Sequence, residues 1–274
     1  MKKILMTILA HPDDEAYSIG GTLAKYSAEG CDVHIVIATD GAAGTSVDEI
    51  NFPGKSLSEI RKLEMEASAH LIGAHLHWLG YKDSGMRGDP SNLDSACLIQ
   101  ANKEKTVSQV IQLLTEYKPQ VIITHDENGG YFHPDHIYCY QITTQAFLML
   151  QESKSDYKPS DLYYHVLPKW WVMLYAFGMI ISGNNPRKWG RGKDIDVTKA
   201  GTPAKKINST IDIRNYWRLK REACAQHVSQ GGDKYIYFHP LLPEWLQKLI
   251  FGVEFYVRFN FSNKQTAKST DLFK

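Results

Sequence analysis

A chain that ends an apolar run, Ile4 to Ala10, in His11-Pro12-Asp13-Asp14-Glu15 places one imidazole and three carboxylates at the edge of its own core. The run reads as a buried β-strand. The charged cluster reads as a short loop before Gly20-Gly21-Thr22-Leu23 opens a helical pattern. Charges gathered at the end of a buried strand must be desolvated or paired, and a bound divalent cation is the simplest partner for them. A second cluster, His133-Pro134-Asp135-His136, follows another apolar strand, Gln120 to Thr124. In an open α/β sheet, sites are built outside the carboxyl ends of the strands.

The chain between and around these clusters supports such a sheet. Residues 3–10 form strand one, and Gly21 to Glu29 carries apolar residues at helical spacing before Gly30 stops it. Val33 to Ala38 is a β-branched strand, Gly41 to Gly54 a small polar loop, and Leu57 to Ile72 a helix with Leu57, Ile60, Leu63, Ala67 and Leu71 facing inwards. Strands at His75–Leu79, Val121–Thr124 and Leu162–Leu167 alternate with helices at Asn102–Tyr117 and Asp135–Gln151. This alternation predicts an α/β three-layer sandwich, a mainly parallel sheet with helices on both faces. From Pro168 the pattern changes. Trp170 to Ser182 is apolar and aromatic, Asn184 to Lys206 is polar and rich in Gly, Lys and Arg, and Ile213 to Val228 is helical. The expected division is a catalytic core over 1–168 and a C-terminal α+β appendage over 169–274 that completes the site and the globule.

With 274 residues and 43% hydrophobic content the chain can bury a full core, and its net charge of +1 gives no sign of a nucleic-acid groove. Cys31, Cys97, Cys139 and Cys224 are widely spaced with no CxxC, so a disulfide scaffold or zinc knuckle is not expected. They read as reduced thiols of a cytoplasmic protein. The apolar run after Met1-Lys2-Lys3 reads as a first strand, not a signal peptide. The stretch from Trp170 to Ser182 falls short of the ~20 residues a bilayer requires. Leu241 to Phe261 is broken by Pro243, Glu244, Lys248, Glu254 and Arg258. No transmembrane segment is expected. These stretches read as a lid, core or subunit interface, with peripheral membrane contact or a lipid-linked substrate as the alternative. Self-association is compatible with the aromatic content but its symmetry is open.

His11, Asp14 and His136 are the natural metal ligands. Two histidines and a carboxylate, leaving positions for water, suit a catalytic zinc, and the same set suits ferrous iron. Asp13, next to a ligand on a tight turn, is available as the base that deprotonates the attacking water. His133, three residues before His136, faces the same cavity. As imidazolium it would stabilise an oxyanion or protonate a leaving amine, with Asp135 orienting it. Glu15 either contacts a ligand histidine or caps the following helix. His34, His70, His75 and His77 read as surface or core residues. The equipment is that of amide hydrolysis.

Ala10-His11-Pro12-Asp13-Asp14-Glu15 with His133-Pro134-Asp135-His136 resembles the LmbE-like (PIG-L) zinc-dependent de-N-acetylases. The similarity includes Thr39-Asp40-Gly41, the Arg61-Lys62-Leu63-Glu64 helix, Leu79 through Gly85, Asn128-Gly129-Gly130-Tyr131, Lys220 and His227-Val228-Ser229-Gln230. The resemblance implies a Rossmann-like fold, with zinc on His11, Asp14 and His136, Asp13 as general base and His133 as the electrostatic or acid group. It implies that Tyr131 polarises the substrate carbonyl and that Arg61 and Asp83 bind sugar hydroxyls. Family substrates are N-acetylglucosamine units on inositol, malate or a lipid-linked inositol, and some members cleave cysteinyl amides of thiol conjugates. Asp126 to Tyr131 and the Asp83-Ser84-Gly85 turn look most like the mycothiol branch, which holds both a deacetylase and a conjugate amidase. The segment from Trp170 through the Arg187–Lys193 loop matches nothing in that pattern.

The resulting expectation is a zinc amidohydrolase that removes acetyl from a small N-acetylglucosaminyl compound. An amidase of thiol S-conjugates is the alternative, separated by the volume of the acyl pocket. A nucleotide-dependent oxidoreductase would need GxGxxG where His-Pro-Asp-Asp-Glu stands. A non-catalytic sugar-binding module would have lost Asp13 or a ligand.

Overall fold

The structure, a computed structural model, describes residues 2–44, 54–190, 193, 195–233, 242–259 and 268–274. Most of the expected Gly41–Gly54 loop, Arg191 and Gly192 of the basic loop, and parts of the aromatic tail lie outside the described residues.

In chain order the elements are β1 (Ile4–Leu9), α1 (Asp14–Ala28), β2 (Asp32–Thr39), α2 (Leu57–Ile72), β3 (His75–Tyr81), α3 (Lys103–Tyr117), β4 (Val121–Thr124), the short α4 (Gly129–Phe132), α5 (Pro134–Glu152), β5 (Asp161–Val166), α6 (Lys169–Ile181), β6 (Ser209–Asp212), α7 (Trp217–Gln226), α8 (Glu244–Phe251) and β7 (Val253–Arg258). The strands form one sheet in the order β3-β2-β1-β4-β5-β7-β6. The first five are mutually parallel, and β7 is antiparallel to both β5 and β6. The fold is therefore α/β with a mainly parallel sheet.

The central strands β1, β2 and β4 are buried on both faces, which is why they read as nearly continuous apolar runs. Alternation along each strand separates two cores. Leu5, Leu9, Val33, Ile35, Ile37, Val121 and Ile123 pack on one side with Ile19 and Leu23 of α1, Met65 of α2 and Trp217 of α7. Met6, Ile8, Val36, Ala38 and Ile122 pack on the other with Val107, Val110 and Leu114 of α3 and Ile142, Ala146 and Phe147 of α5.

The inward face of α2 is Ile60, Met65, Ala69 and Ile72, while Leu63 and Leu71, expected inside, are exposed. Two further features differ from the sequence expectation. The first helix begins at Asp14, not Gly21, so the charged cluster forms its first turn. Gly20-Gly21 reads as a break, but it is a packing device: a Cβ on Gly21 would lie 2.4 Å from the Ile213 side chain. Asp14 and Glu15 also suit the positive end of the helix dipole. The second concerns the C-terminal part. Near residue 168 the chain turns into α6, yet β6 and β7 then return to extend the same sheet.

The strand order reverses direction between β1 and β4. Their register, Leu5 beside Val121 through Ile8 beside Thr124, brings the residues that follow each strand into one crevice. A switch point of this kind is where doubly wound sheets bind ligands. Both His-Pro-Asp clusters emerge there.

Candidate active site

The turn from β1 into α1 is tight enough to hold Asp13 at φ 116°, in the left-handed region that non-glycine residues rarely occupy. The strain splits the neighbouring carboxylates. Asp14 turns inwards, where its Oδ2 accepts the His11 backbone N–H at 2.8 Å. Asp13 turns outwards, and its Oδ2 accepts from the Arg61 guanidinium at 2.9 Å.

At the centre, His11 Nδ1 and His136 Nε2 face each other at 3.1 Å. Asp14 Oδ2 lies 3.6 Å from His11 Nδ1, and its Oδ1 lies 3.4 Å from His136 Nε2. Ligands about 2.0–2.2 Å from a tetrahedral zinc are about 3.3–3.5 Å apart, so the spacing of these three groups fits such an ion. The potential donor cluster is wider than this triad. His11, His133 and His136 form one potential ligand group, Asp14, His125 and His136 a second, and His11, Asp83 and Asp135 a third.

His11 is prepared for this work by the carboxylates behind it. Its Nε2 lies 3.2 Å from Asp135 Oδ2 and 3.4 Å from Asp83 Oδ1. A proton held on Nε2 by these anions leaves the Nδ1 lone pair directed at the cluster. Burial alone would lower the His11 pKa, but Asp83, Asp135 and Asp14 favour the protonated ring and hold its pKa well above the usual range. A cation bound at Nδ1 would therefore have to displace the Nδ1 proton while Nε2 keeps its own. Asp135 is thereby reassigned. Its carboxylate does not orient His133; Oδ2 is taken by His11 and by the Ser84 N–H at 2.9 Å, and buried Oδ1 has no hydrogen-bond partner among the described residues. At the start of a helix, successive side chains point in different directions, so adjacency in sequence misled here.

His133 caps α5: its Nδ1 accepts the Asp135 backbone N–H at 3.2 Å. That leaves Nε2 to carry the proton of the neutral ring. Burial and the neighbouring His11 push its pKa down to about 3, so the expected imidazolium gives way to a neutral N–H donor. Its ring is 4.5 Å from His11 and 5.0 Å from His136, centroid to centroid. Tyr131 lies edge-on over the same histidines, 5.3 Å from His136 and 5.8 Å from His133, and is 37% exposed. It stands at the mouth of the crevice.

Asp13 is pushed up to about 6, chiefly by burial, against the lowering influence of Arg61. Asp14 moves the opposite way: burial would raise it, but His136 and His125 hold it well below the carboxylate range. The two adjacent carboxylates are thus shifted in opposite directions.

Arg61 and Asp83, expected at sugar hydroxyls, are buried and committed elsewhere. Arg61 donates to Asp13, Gly41 O and Pro12 O, and Asp83 accepts from the Gly85 N–H beside its contact with His11. A long side chain on α2 reaches the β1 turn because the two elements pack side by side, which the sequence does not reveal.

Two further residues belong to the site. His125 directly follows β4; its Nε2 accepts the Ala10 N–H at 3.1 Å and lies 3.5 Å from Asp14 Oδ2, and its ring stacks on His136 at 3.9 Å. The strand-end rule that singled out His11 applies equally to it. His227 lies 212 positions from Glu15 in sequence, and its Nε2 meets Glu15 Oε1 at 2.7 Å. Ser68 Oγ donates to the same Glu15 oxygen at 2.6 Å, while Oε2 accepts the Asp13 N–H at 3.0 Å. Glu15 therefore fastens the strained turn and touches no ligand histidine. His34 and His77 pair with each other at 3.0 Å at the far end of the sheet.

Glu15 and His227 are both fully buried. Breaking such a pair leaves an uncompensated charge, which costs about 3–5 kcal/mol. Glu15→Gln is expected to lose stability on that scale in denaturant titration. Burial would lower the His227 pKa, yet Glu15 raises it above 6.5; its contribution is full below 6.5 and lost as pH rises through the folded value. Burial would raise the Glu15 pKa, yet His227 lowers it below 4.5; its contribution is full above 4.5 and lost as pH falls through the folded value. The variant and the parent should converge in stability at both extremes of pH.

A family model described as PIG-L, GlcNAc-PI de-N-acetylase, matches residues 6–147, the stretch that holds both clusters. The chain belongs to the PIG-L family. Among PIG-L relatives, a 1D-myo-inositol 2-acetamido-2-deoxy-alpha-D-glucopyranoside deacetylase from Thermobifida fusca is 32% identical over 239 residues, 82% of each chain. A mycothiol S-conjugate amidase from Streptomyces coelicolor is 35% identical over 175 residues, covering 59% of this chain and 60% of its own. The N,N'-diacetylchitobiose deacetylase of Pyrococcus horikoshii shares the fold, with a TM-score of 0.60 at 23% identity over 94% of this chain and 84% of its own.

Proposed function

We propose that this protein is a metal-dependent N-deacetylase that hydrolyses the acetamide of an N-acetylglucosaminyl compound. The observation that carries this reading is the convergence of His11 Nδ1, the Asp14 carboxylate and His136 Nε2, with Asp13 held beside them. Two imidazoles and one carboxylate form a donor set suited to zinc, and ferrous iron is compatible with it. Held by His11, Asp14 and His136, a zinc ion would supply Lewis acidity toward the substrate carbonyl and the attacking water.

The rest of the work belongs to the chain. Asp13, poised near neutrality, takes a proton from the attacking water and delivers it to the leaving amine, so that acetate and a free amino sugar depart. Arg61 fixes the Asp13 carboxylate, and Glu15 with His227 fixes the turn that carries it. His133, protonated at Nε2 because Nδ1 is engaged, donates a hydrogen bond to the oxygen that gains negative charge. Asp135 and Asp83 hold the His11 tautomer, and Tyr131 at the mouth closes on the substrate carbonyl. The C-terminal part completes the site through His227 and through Trp189, whose ring lies 6.1 Å from Tyr131.

If His133 acts on the developing charge, His133→Ala should lower kcat by about 10²–10³-fold with little change in KM. Steady-state kinetics checks this, and a pure KM effect would make His133 a substrate-binding residue instead.

The match to a thiol-conjugate amidase sustains a second reading, in which the same site cleaves a larger acyl amide. A panel containing N-acetylglucosaminyl inositol and glucosaminyl inositol amides of bulky S-substituted cysteines separates the two. Faster turnover of the acetyl compound supports deacetylation, and preference for the bulky amide supports the amidase.

A further inference from the structure

We propose that α6 and the basic segment that follows it form a docking surface for an anionic lipid bilayer. Between Trp170 and Ile181 there is no charged residue. The inner face of α6, Val172, Ala176 and Met179, packs with Ile195, Val197 and Ala200 against Met86 and Phe132. Its other face bears Trp170, Met173, Leu174, Phe177, Ile180 and Ile181, all exposed, with Ile181 at 72%. Those positions recur at helical spacing and make a single stripe. A soluble helix would carry polar residues there, so the stripe marks an interaction site.

Charge decides what covers it. Residues 169–206 contain eight Lys and Arg against two Asp and Glu, so this segment carries +6 in a chain whose total is +1. Arg187, Lys188, Lys193, Lys199, Lys205 and Lys206 are exposed. Ile180 at the end of the stripe and Arg187 line the same open depression, so the start of the basic segment adjoins the apolar face in space, while Lys206 at its end pairs with Glu127. A second copy of the chain, seated symmetrically on this face, would oppose one +6 segment with another. An anionic bilayer answers both halves of the surface, apolar side chains entering the acyl boundary and cations meeting headgroups. The helix has 13 residues, too few to span a membrane but ample to lie in its interface. Among the described residues no helix is long and apolar enough to cross one. The same surface reaches the site, since Phe132 under α6 is next in sequence to Tyr131, and Trp189 touches Tyr131.

The test is co-sedimentation of the full chain with vesicles of phosphatidylcholine alone and with 30 mol% phosphatidylglycerol, at low and high salt, alongside the oligomeric state by sedimentation equilibrium. Roughly tenfold or greater enrichment on anionic over neutral vesicles is expected, lost at high salt. Leu174→Glu with Phe177→Glu should abolish binding, and Arg187→Glu with Lys188→Glu, which lies in a loop and leaves packing intact, should weaken it severalfold. Both should retain parental turnover of a water-soluble substrate. Absence of binding to anionic vesicles overturns the proposal. So does a parental dimer that Leu174→Glu with Phe177→Glu converts to monomers, because the face would then belong to a second copy.

Discussion

Replacing Asp13 by Asn is expected to cut kcat/KM by about 10²–10⁴-fold while the bound metal remains at the parental level, the loss typical of a removed general base. The substitution is nearly isosteric. It keeps an oxygen for the Arg61 guanidinium, which also retains its bonds to Gly41 and Pro12, so the turn should stay folded. What it removes is the carboxylate that burial has lifted to about 6. Metal analysis and steady-state kinetics on the same preparation check the result. Metal loss in this variant would mean that Asp13 is itself a ligand, and unaltered kinetics would move the base elsewhere.

Asp14→Ala should behave in the opposite order, losing the metal first and activity with it. Asp14 offers one oxygen toward His11 and the other toward His136, and it accepts the His11 backbone N–H. Among the described residues no other side chain bridges the two ring nitrogens in that way, although His125 stands close behind. The expected outcome is metal content near zero after dialysis and turnover below about 10⁻³ of the parent, because the Lewis acid that lowers the pKa of water has gone. Full metal with full activity would show that another member of the histidine cluster replaces it. Two adjacent carboxylates with opposite failure modes would be a strong signature of the division of roles that the strained turn creates.

The sequence made much of this legible because strands buried on both faces leave a simple trace. Val33 to Ala38 is apolar but for His34, Val121 to Ile123 is wholly apolar, and the polar clusters after Ala10 and Thr124 mark one end of the sheet. What stayed hidden was set by tertiary packing. Gly20-Gly21 concealed the true start of α1, since Gly21 is explained by the approach of Ile213, a contact from the far end of the chain. The helical geometry at Pro134 sends the Asp135 carboxylate to His11, 124 positions away, and turns only its backbone N–H to His133. Arg61 looked like a substrate ligand until its reach to Asp13 was seen. Glu15 and His227 are partners across almost the whole chain, a pairing that no local pattern encodes. The antiparallel return of β7 beside β5 was equally silent, because β7 is a short strand within an aromatic tail. His125, by contrast, follows strand β4 as His11 follows β1, so the same strand-end pattern marks it.

The central claim is that the histidine-carboxylate cluster holds a metal that the chain uses to hydrolyse an acetamide. The most direct test measures metal per chain together with acetate released from a small panel of N-acetylglucosaminides, before and after treatment with a chelator and after adding zinc back. About one zinc per chain is expected, with acetate release that the chelator abolishes and zinc addition restores. A protein that releases acetate at the same rate when stripped of metal would contradict it.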